Sequence, residues 1–281
     1  MTCTLKHLVV VPILIWLILG STVTYATLLT LNDTVRVLVK IDNSKFKEEH
    51  VAGLKGRILV KYELIPYILV ELPQVTLKHL KNVPGVLNVE LDGYVHITGV
   101  NLFKKPSSPP GLKIQPPQVI PWGIERIGAS NVWNDTTGIA DVNGDGNSEV
   151  EVAIIDTGVN QDHPDLISNI KWGVSVLNGN IKTKNSAWKD RNGHGTHVAG
   201  IVAALNNDIG VVGAAPKVEL YIIKALNNGG YGTWSDLILA IEMAIKGPDG
   251  EVDSDGDGVI VGDPEDDAAD CLLYTSPSPR D

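Results

Sequence analysis

Two long apolar runs constrain the fold of this chain more than any other feature. EVEVAIIDTG occupies residues 149–158, and VELYIIKAL occupies residues 218–226. Runs of this kind are typical of strands that are buried on both faces of a parallel sheet. Helical patterns follow them, THVAGIVAALNN from Thr196 and SDLILAIEMAIKG from Ser235. Strands that alternate with helices in this way predict an α/β fold with a doubly wound parallel sheet.

Residues 35–97 show a different pattern, made of shorter elements. Four strands are predicted, VRVLVKI, RILVKYEL, YILVEL and VLNVEL, with one helix at residues 44–55 and a second at residues 76–85. The resulting order, β-α-β-β-α-β, is that of a ferredoxin-like α+β module. Residues 99–117 are rich in proline, glycine, serine and lysine, so they are predicted to form an exposed linker.

The first 26 residues are predicted to be a signal peptide, which makes the protein a secreted one. Lys6 and His7 precede an apolar run at residues 8–19, and the small-residue site Thr24-Tyr25-Ala26 follows. The alternative is a single membrane anchor, but the run is shorter than the roughly 20 apolar residues that a membrane-spanning helix needs. We therefore expect no stable membrane anchor after cleavage.

Charge and cysteine content narrow the choice of partners and of stabilising groups. The net charge is −10 and the isoelectric point is near 5.1, which argues against a nucleic-acid partner. Cys3 lies in the predicted signal peptide and Cys271 in the final segment. The mature protein would then lack disulfides, so we expect a packed core and bound metal ions to stabilise it.

Two short motifs supply candidate catalytic residues. Asp156 ends the first apolar run, at the carboxyl edge where open α/β sheets build their sites. His194 lies in NGHGTHVAG, where glycines allow a tight turn into a helix, so its ring can be oriented by a carboxylate. DTG alone is weak evidence, because pepsin-like aspartic proteases share it. His197 is predicted to be a buried helix residue, and its spacing of three from His194 disfavours a zinc pair.

Together these motifs resemble the Asp and His blocks of subtilisin-like serine proteases, in particular the calcium-dependent subtilisins of archaea. The matching stretches are VAIIDTGVNQDHPDL and NGHGTHVAGIVAALNNDIGVVGAAP. The resemblance implies that Asp156 orients His194, the general base for a serine. It also implies that residues 118–270 are the N-terminal part of a peptidase S8 catalytic domain. Residues 27–98 would be an inhibitor I9-like propeptide that assists folding and blocks the cleft, with cleavage near Thr98-Gly99 or in the linker.

The same resemblance assigns residues that bind substrate and calcium. Gly230 and Gly232 would pair with an extended peptide, while Leu226 and Trp234 would line its side-chain pockets; the alternative for Leu226 is core packing. One Ca²⁺ site would take oxygen ligands from six residues. These are Gln118, Asp165, Leu205, Asn207, Ile209 and Val211. A polar turn without metal is the alternative.

Two further acidic loops are candidate calcium sites. The first is DSDGDGVIVGD, in which positions 1, 3, 5 and 7 of an EF-hand-like loop are Asp253, Asp255, Asp257 and Val259. Its closing ligand would come from Asp263, Asp266 or Asp267, because position 12 is a proline. The second is DVNGDGNSE, with Asp141, Asn143, Asp145 and Glu149, for which a solvated Asx turn is the alternative.

The serine itself is missing from the sequence. The G-T-S-M-A block that carries the family's nucleophile does not occur, nor does the block with its oxyanion-hole asparagine. Residues 271–281, CLLYTSPSPRD, resemble the translation of a sequencing-library adapter. We therefore expect an inactive fragment of a secreted, monomeric, calcium-dependent serine endopeptidase that is made as a zymogen and cleaves protein substrates. The rival hypothesis is a secreted calcium-binding module without catalysis.

Overall fold

The structure is a computed structural model that describes residues 33–97, 116–133, 150–250, 269 and 271–274. The chain divides into two compact units, Met1–Asp92 and Gly93–Asp281. In the described parts of both units, no helix is long and apolar enough to cross a membrane.

The first unit is a four-stranded antiparallel sheet with two short helices. Its elements are β1 (Thr34–Ile41), α1 (Glu49–Gly53), β2 (Arg57–Lys61), β3 (Tyr67–Pro73), a 3-10 turn (Gln74–Thr76), α2 (Leu77–Leu80) and β4 (Val86–Leu91). The strand order is β2-β3-β1-β4. Alternate residues of β1 and β3, such as Val37 and Val70, pack against Val51 of α1 and Leu80 of α2. The element order is the one that the sequence predicted.

The first helix is much shorter than the predicted span of residues 44–55. Asp42 accepts hydrogen bonds from the Ser44 amide (3.0 Å) and the Ser44 hydroxyl (2.6 Å), which closes an Asx turn. Side chains that bond the local backbone in this way compete with helix formation. Lys55 then adopts a left-handed conformation with φ 58°, which ends the helical run. Only Glu49–Gly53 is α-helical.

The second unit is built on a parallel sheet. Its strands are β5 (Tyr94–His96), β6 (Glu151–Asp156), β7 (Ile170–Ser175), β8 (Glu219–Lys224), β9 (Tyr231–Thr233) and β10 (Cys271–Tyr274). Its helices are α3 (Trp122–Arg126), α4 (Asn185–Trp188), α5 (His194–Ala203) and α6 (Trp234–Lys246), with 3-10 turns at Ala129–Asn131 and Leu177–Gly179. Four strands form the parallel sheet in the order β10-β6-β8-β7. β5 and β9 form a separate antiparallel ribbon.

Helices cover both faces of the parallel sheet, as the doubly wound pattern predicted. Val152 and Ile154 of β6 share a core cluster with Val198 and Ala199 of α5. The alternating residues of β6 are equally buried, and strand geometry directs them to the opposite face. Helix α6 contacts the same strands, β6 and β8, but contributes no residue to the α5 cluster. Both faces of β6 are therefore enclosed.

Strand β10 lies within the segment predicted to derive from an adapter. Cys271–Tyr274 pairs in parallel with Val152–Ile155, so these four residues occupy a strand position beside β6. Their pairing does not test the origin of residues 271–281, which stays a prediction.

Candidate active site

Asp156 and His194 meet at the carboxyl edge of the parallel sheet. Asp156 is the last residue of β6 and is 1% exposed, while His194 is the first residue of α5. His194 Nδ1 lies 2.9 Å from Asp156 Oδ1 and 2.8 Å from Oδ2. When Nδ1 carries the proton and donates a hydrogen bond to this carboxylate, Nε2 keeps a lone pair that can accept a proton. The pair therefore has the arrangement of an oriented general base.

The backbone around Asp156 fixes the carboxylate. The Thr157 amide donates to Asp156 Oδ1 at 2.6 Å. The carbonyl of Asp156 accepts from the amides of Ala225 and Leu226, both at 3.1 Å, so the end of β6 is tied to the chain that follows β8. Hydrogen bonds to its side chain and to its main chain thus restrain this one residue.

Gly195 allows helix α5 to start close to β6. A Cβ atom at this position would overlap the carbonyl oxygen of Gly158 and would lie 3.2 Å from Asp156 Oδ1. Any side chain would therefore push the first turn of the helix away from the strand. The absence of a side chain at Gly195 keeps the His194 ring within hydrogen-bonding distance of Asp156.

Asp190 links this strand to the same helix start. Its Oδ1 accepts from the Thr157 hydroxyl (3.0 Å) and from the Gly193 amide (2.9 Å). Its Oδ2 accepts from the amide (3.0 Å) and the hydroxyl (2.6 Å) of Thr196 in the first turn of α5. A carboxylate that satisfies free amides at a helix N-terminus also interacts favourably with the helix dipole.

Lys224 completes the network from the adjacent strand β8. It is the register partner of Asp156, it is buried, and its ammonium donates to the Thr157 carbonyl oxygen. Burial lowers the pKa of Lys224 from 10.5 to about 8, while Asp190 and Asp156 oppose that shift and Arg191 adds to it. Lys224, Asp190 and Thr157 were not predicted from the sequence. Lys224 is the one lysine in the apolar run at residues 218–226, and this position was the sequence signal that could have identified it.

The predicted substrate-binding residues lie together along β9. In the ribbon, Tyr94 pairs with Thr233, Val95 with Gly232 and His96 with Tyr231, so residues 94–96 occupy the edge of the strand. The Ile97 amide donates to the Gly230 carbonyl at 3.0 Å, and the Trp234 amide donates to the Gly93 carbonyl at 3.0 Å. Residues 93–97 were assigned to the first module, yet they belong to the second compact unit.

Apolar side chains of this segment pack on the predicted pocket. Val95, Ile97 and Leu226 form one buried cluster. Gly230 has φ 80°, and a Cβ there would lie 2.6 Å from Ile97 Cγ1, so a side chain would displace Ile97. Trp234 remains 47% exposed. Leu226 is therefore buried against the chain's own segment, as the core-packing alternative predicts, and its part in a substrate pocket stays a prediction.

The six predicted ligands of the first calcium site lie around one turn. Gln118 Nε2 lies 2.7 Å from the Leu205 carbonyl, 3.4 Å from Asn207 Oδ1 and 3.5 Å from the Val211 carbonyl. Asp165 accepts from Asn207 Nδ2 (3.0 Å) and from the Val211 amide (3.3 Å). The Ile209 amide donates to Asn207 Oδ1 at 2.8 Å. Oxygen atoms of Leu205, Asn207 and Val211 thus lie around Gln118 Nε2, whereas Asp165 contacts the same turn through nitrogen donors. Carbonyl and carboxylate oxygens are the ligands that Ca²⁺ prefers.

Several predicted residues cannot be compared with the structure. Asp253, Asp255, Asp257, Val259, Asp263, Asp266 and Asp267 lie outside the described residues, as do Asp141, Asn143, Asp145 and Glu149. The signal peptide and the linker lie outside them too. In the described part of the chain, no cluster of three or more acidic, histidine or cysteine side chains could hold a metal ion.

The expectation for His197 was wrong. Its side chain is exposed, because the face of α5 that packs on the sheet carries Val198 and Ala199 instead.

The part of the chain that carries Asp156 and His194 is similar to known proteins. Residues 147–259 match the model of the Subtilase family, Peptidase_S8, and this range contains both Asp156 and His194. The candidate active site, with Asp156 at a strand end and His194 at a helix start, thus lies wholly within the residues that match this family model.

Three relatives illustrate the similarity. Subtilisin E of Bacillus subtilis is 32% identical over 204 residues, which is 73% of this chain and 45% of that protein. An alkaline protease of Alkalihalobacillus alcalophilus is 37% identical over 188 residues, 66% of this chain and 40% of the relative. A thermostable alkaline protease of Halalkalibacterium halodurans is 36% identical over 189 residues, 67% and 43% respectively. The chain spans less than half the length of these relatives.

Proposed function

We propose that the whole protein is a serine endopeptidase of the subtilisin type. The observation that carries this proposal is the contact of His194 Nδ1 with both carboxylate oxygens of Asp156 at 2.8 and 2.9 Å. In this reaction His194 Nε2 takes the proton of a serine hydroxyl while the serine oxygen bonds to the scissile carbonyl carbon. His194 then gives that proton to the leaving amine, and Asp156 stabilises the imidazolium between the two transfers. The serine would lie in a part of the protein outside this sequence.

The substrate would be an extended segment of a protein chain. Residues 93–97 support this, because they already pair with β9 as an added antiparallel strand. Main-chain hydrogen bonds of this kind bind a peptide with little regard to its sequence, and side-chain pockets then provide selectivity. Leu226 and Trp234, with the backbone of Gly230 and Gly232, would be the contacts on the enzyme side.

The protein would be made as a secreted zymogen. The signal peptide at residues 1–26 would be removed on export, and the ferredoxin-like module would act as a chaperone and an inhibitor. Ile97, two residues before Gly99, is hydrogen-bonded to Gly230, so the chain is bound to the proposed substrate-pairing segment up to the residue before the Thr98-Gly99 bond. We propose this bond as the cleavage site that separates the propeptide from a monomeric mature enzyme. Inhibition by residues 27–98 added in trans would support the assignment.

Calcium would stabilise the mature enzyme, as in the archaeal subtilisins that the sequence resembles. Gln118, Asp165, Asn207 and the carbonyls of Leu205, Ile209 and Val211 would hold one ion. Rotation of the Gln118 amide would turn its oxygen, in place of its nitrogen, toward the ion that the neighbouring carbonyl oxygens would share. The acidic loop at residues 253–267 would hold further ions, and the loop at residues 141–149 is a second candidate.

Peptide hydrolysis by the complete protein tests the proposal. The gene is extended past Asp270, and the product is assayed on a chromogenic peptide with and without calcium. We expect His194→Ala to lower kcat by about 10⁶-fold, which is the magnitude known for loss of the histidine in subtilisin itself. His197→Ala on the exposed face of the same helix is the matched control and should keep activity. A complete protein that binds calcium but hydrolyses nothing would favour the non-catalytic module.

A further inference from the structure

Lys224 has no role in the proposed reaction, although it is buried beside the reacting pair. Among the described residues it is the only lysine or arginine in the buried class, with 3% of its surface exposed. Burying an ammonium group costs free energy unless hydrogen bonds and opposite charges compensate. The neighbours of Lys224 therefore indicate what it does.

The hydrogen bond of Lys224 restrains the turn that follows β6. Its ammonium donates to the Thr157 carbonyl oxygen. Thr157 is held at its other polar atoms too, since its amide donates to Asp156 Oδ1 (2.6 Å) and its hydroxyl donates to Asp190 Oδ1 (3.0 Å). The same hydroxyl accepts from the Gly195 amide at 2.9 Å. One residue thus connects the strand that carries Asp156 with the helix that carries His194, and Lys224 fixes that residue from β8.

The charge of Lys224 has a separate effect. Two anions, Asp156 from β6 and Asp190 from the loop before α5, favour the charged form of Lys224. The nearby positive charge of Arg191 disfavours that form. The His194 ring contacts one of these carboxylates directly. Two carboxylates near an imidazole favour its protonated form, and a neighbouring ammonium opposes them.

We infer that Lys224 is a positioning residue for the His194–Asp156 pair: its ammonium anchors the Thr157 turn, and its positive charge offsets Asp156 and Asp190. Without that charge, His194 would hold its proton more tightly and would be a poorer base at neutral pH. The inference rests on the proposed function, which gives the pair its need for a base near neutrality. It predicts a property of the histidine, however, that can be measured without substrate or nucleophile.

The test is a ¹⁵N NMR titration of the His194 ring nitrogens in the full-length protein. Lys224→Met removes both the donor and the charge, Lys224→Gln keeps a donor without the charge, and Lys224→Arg keeps the charge. We expect the midpoint of the ring-nitrogen titration curve to lie about one pH unit higher in the two neutral variants than in the wild type, a tenfold change in proton affinity. Lys224→Arg should restore the wild-type value. Lys189→Met is the matched control, because Lys189 pairs with exposed Asp162 at the surface.

The wild-type protein supplies an independent readout if the variants do not fold. Raising the pH until Lys224 loses its proton should change the His194 ring signals a second time, because the neutral amine no longer offsets Asp156 and Asp190. Ring signals that do not change a second time in the wild type would overturn the inference, as would equal titration midpoints in wild type, Lys224→Gln and Lys224→Arg. If the His194 titration responds to Lys224 as expected but the complete protein hydrolyses no peptide, the proposed function would be contradicted and the inference would stand.

Discussion

Two buried carboxylates of the second unit, Asp156 and Asp165, are stabilised in different ways. Asp156 contacts the His194 ring and faces the buried ammonium of Lys224, so side chains of the chain itself compensate its charge. Asp165 is 3% exposed and accepts from neutral donors, Asn207 Nδ2 and the Val211 amide. Neutral donors compensate a buried charge less well than a cation does. The first carboxylate is therefore held by the fold, whereas the second would gain most from a bound metal ion.

The largest effect in this comparison should follow loss of the Asp156 charge. Asp156→Asn in the complete enzyme keeps the size of the side chain but no longer stabilises the imidazolium. We expect kcat to fall by about 10⁴-fold, which is the magnitude known for loss of the corresponding carboxylate in subtilisin itself. Steady-state kinetics on a chromogenic peptide measures it. Asp162→Asn, an exposed carboxylate, is the control, and a loss below tenfold for Asp156→Asn would contradict the proposed role.

A smaller loss should follow displacement of the helix from the strand. Gly195→Ala places a methyl group against the Gly158 carbonyl, so His194 must move away from Asp156. A shift of about 1 Å at a catalytic group can cost about 10²-fold in rate. Gly200→Ala in the same helix is the matched control, because a Cβ there has no neighbour within 4 Å. Equal activity of the two variants would show that close approach at Gly195 is not required.

Substitution of Asp165 should lower the melting temperature more in the presence of calcium than in the presence of a chelator. Asp165→Ala removes a proposed metal ligand and leaves the Asn207 and Val211 donors without their acceptor. We expect the melting temperature to fall by about 8 °C in calcium, which corresponds to about 3 kcal/mol, and by about half of that in chelator. Thermal unfolding of the complete, serine-inactivated protein measures both. Equal losses in the two conditions would argue against calcium at this site.

An effect of similar size to that at Asp165 concerns the pH dependence of stability at Lys224. Its pKa is lowered from 10.5 to about 8 in the folded protein, so the unfolded chain binds more protons between these values. Folding stability must then rise with pH over that interval, relative to Lys224→Met, and the cost of the buried charge is fully present below pH 8. Melting temperatures of both proteins at pH 7, 9 and 10 test this. A difference that does not change with pH would contradict the lowered pKa.

The sequence predicted the reacting pair because each of its residues lies in a short local motif. Asp156 ends an apolar strand and His194 begins a glycine-flanked helix, and parallel strands bring such ends to one edge. Lys224 and Asp190 were missed because their roles depend on strand register and on a loop contact, which no local pattern contains. The apolar run at residues 218–226 predicts a buried strand, but its pattern indicates no role for the lysine within it.

The fold was predictable to a similar degree. The apolar runs correctly located β6 and β8, whereas β7 was not predicted because Lys171 and Gly173 interrupt its apolar pattern. The first helix was predicted too long because the Asx turn at Asp42 competes with it. The position of residues 93–97 on β9 arises from pairing between distant segments, which periodicity does not reveal.

Labelling with a fluorophosphonate most directly tests the claim that Asp156 and His194 activate a serine. The complete protein is treated with the reagent, and the modified residue is located by mass spectrometry. We expect one serine outside this sequence to be labelled, at a rate that rises as His194 loses its proton. Labelling should be abolished in His194→Ala and retained in His197→Ala. Absence of labelling in the wild type, or equal labelling in His194→Ala, would contradict the account.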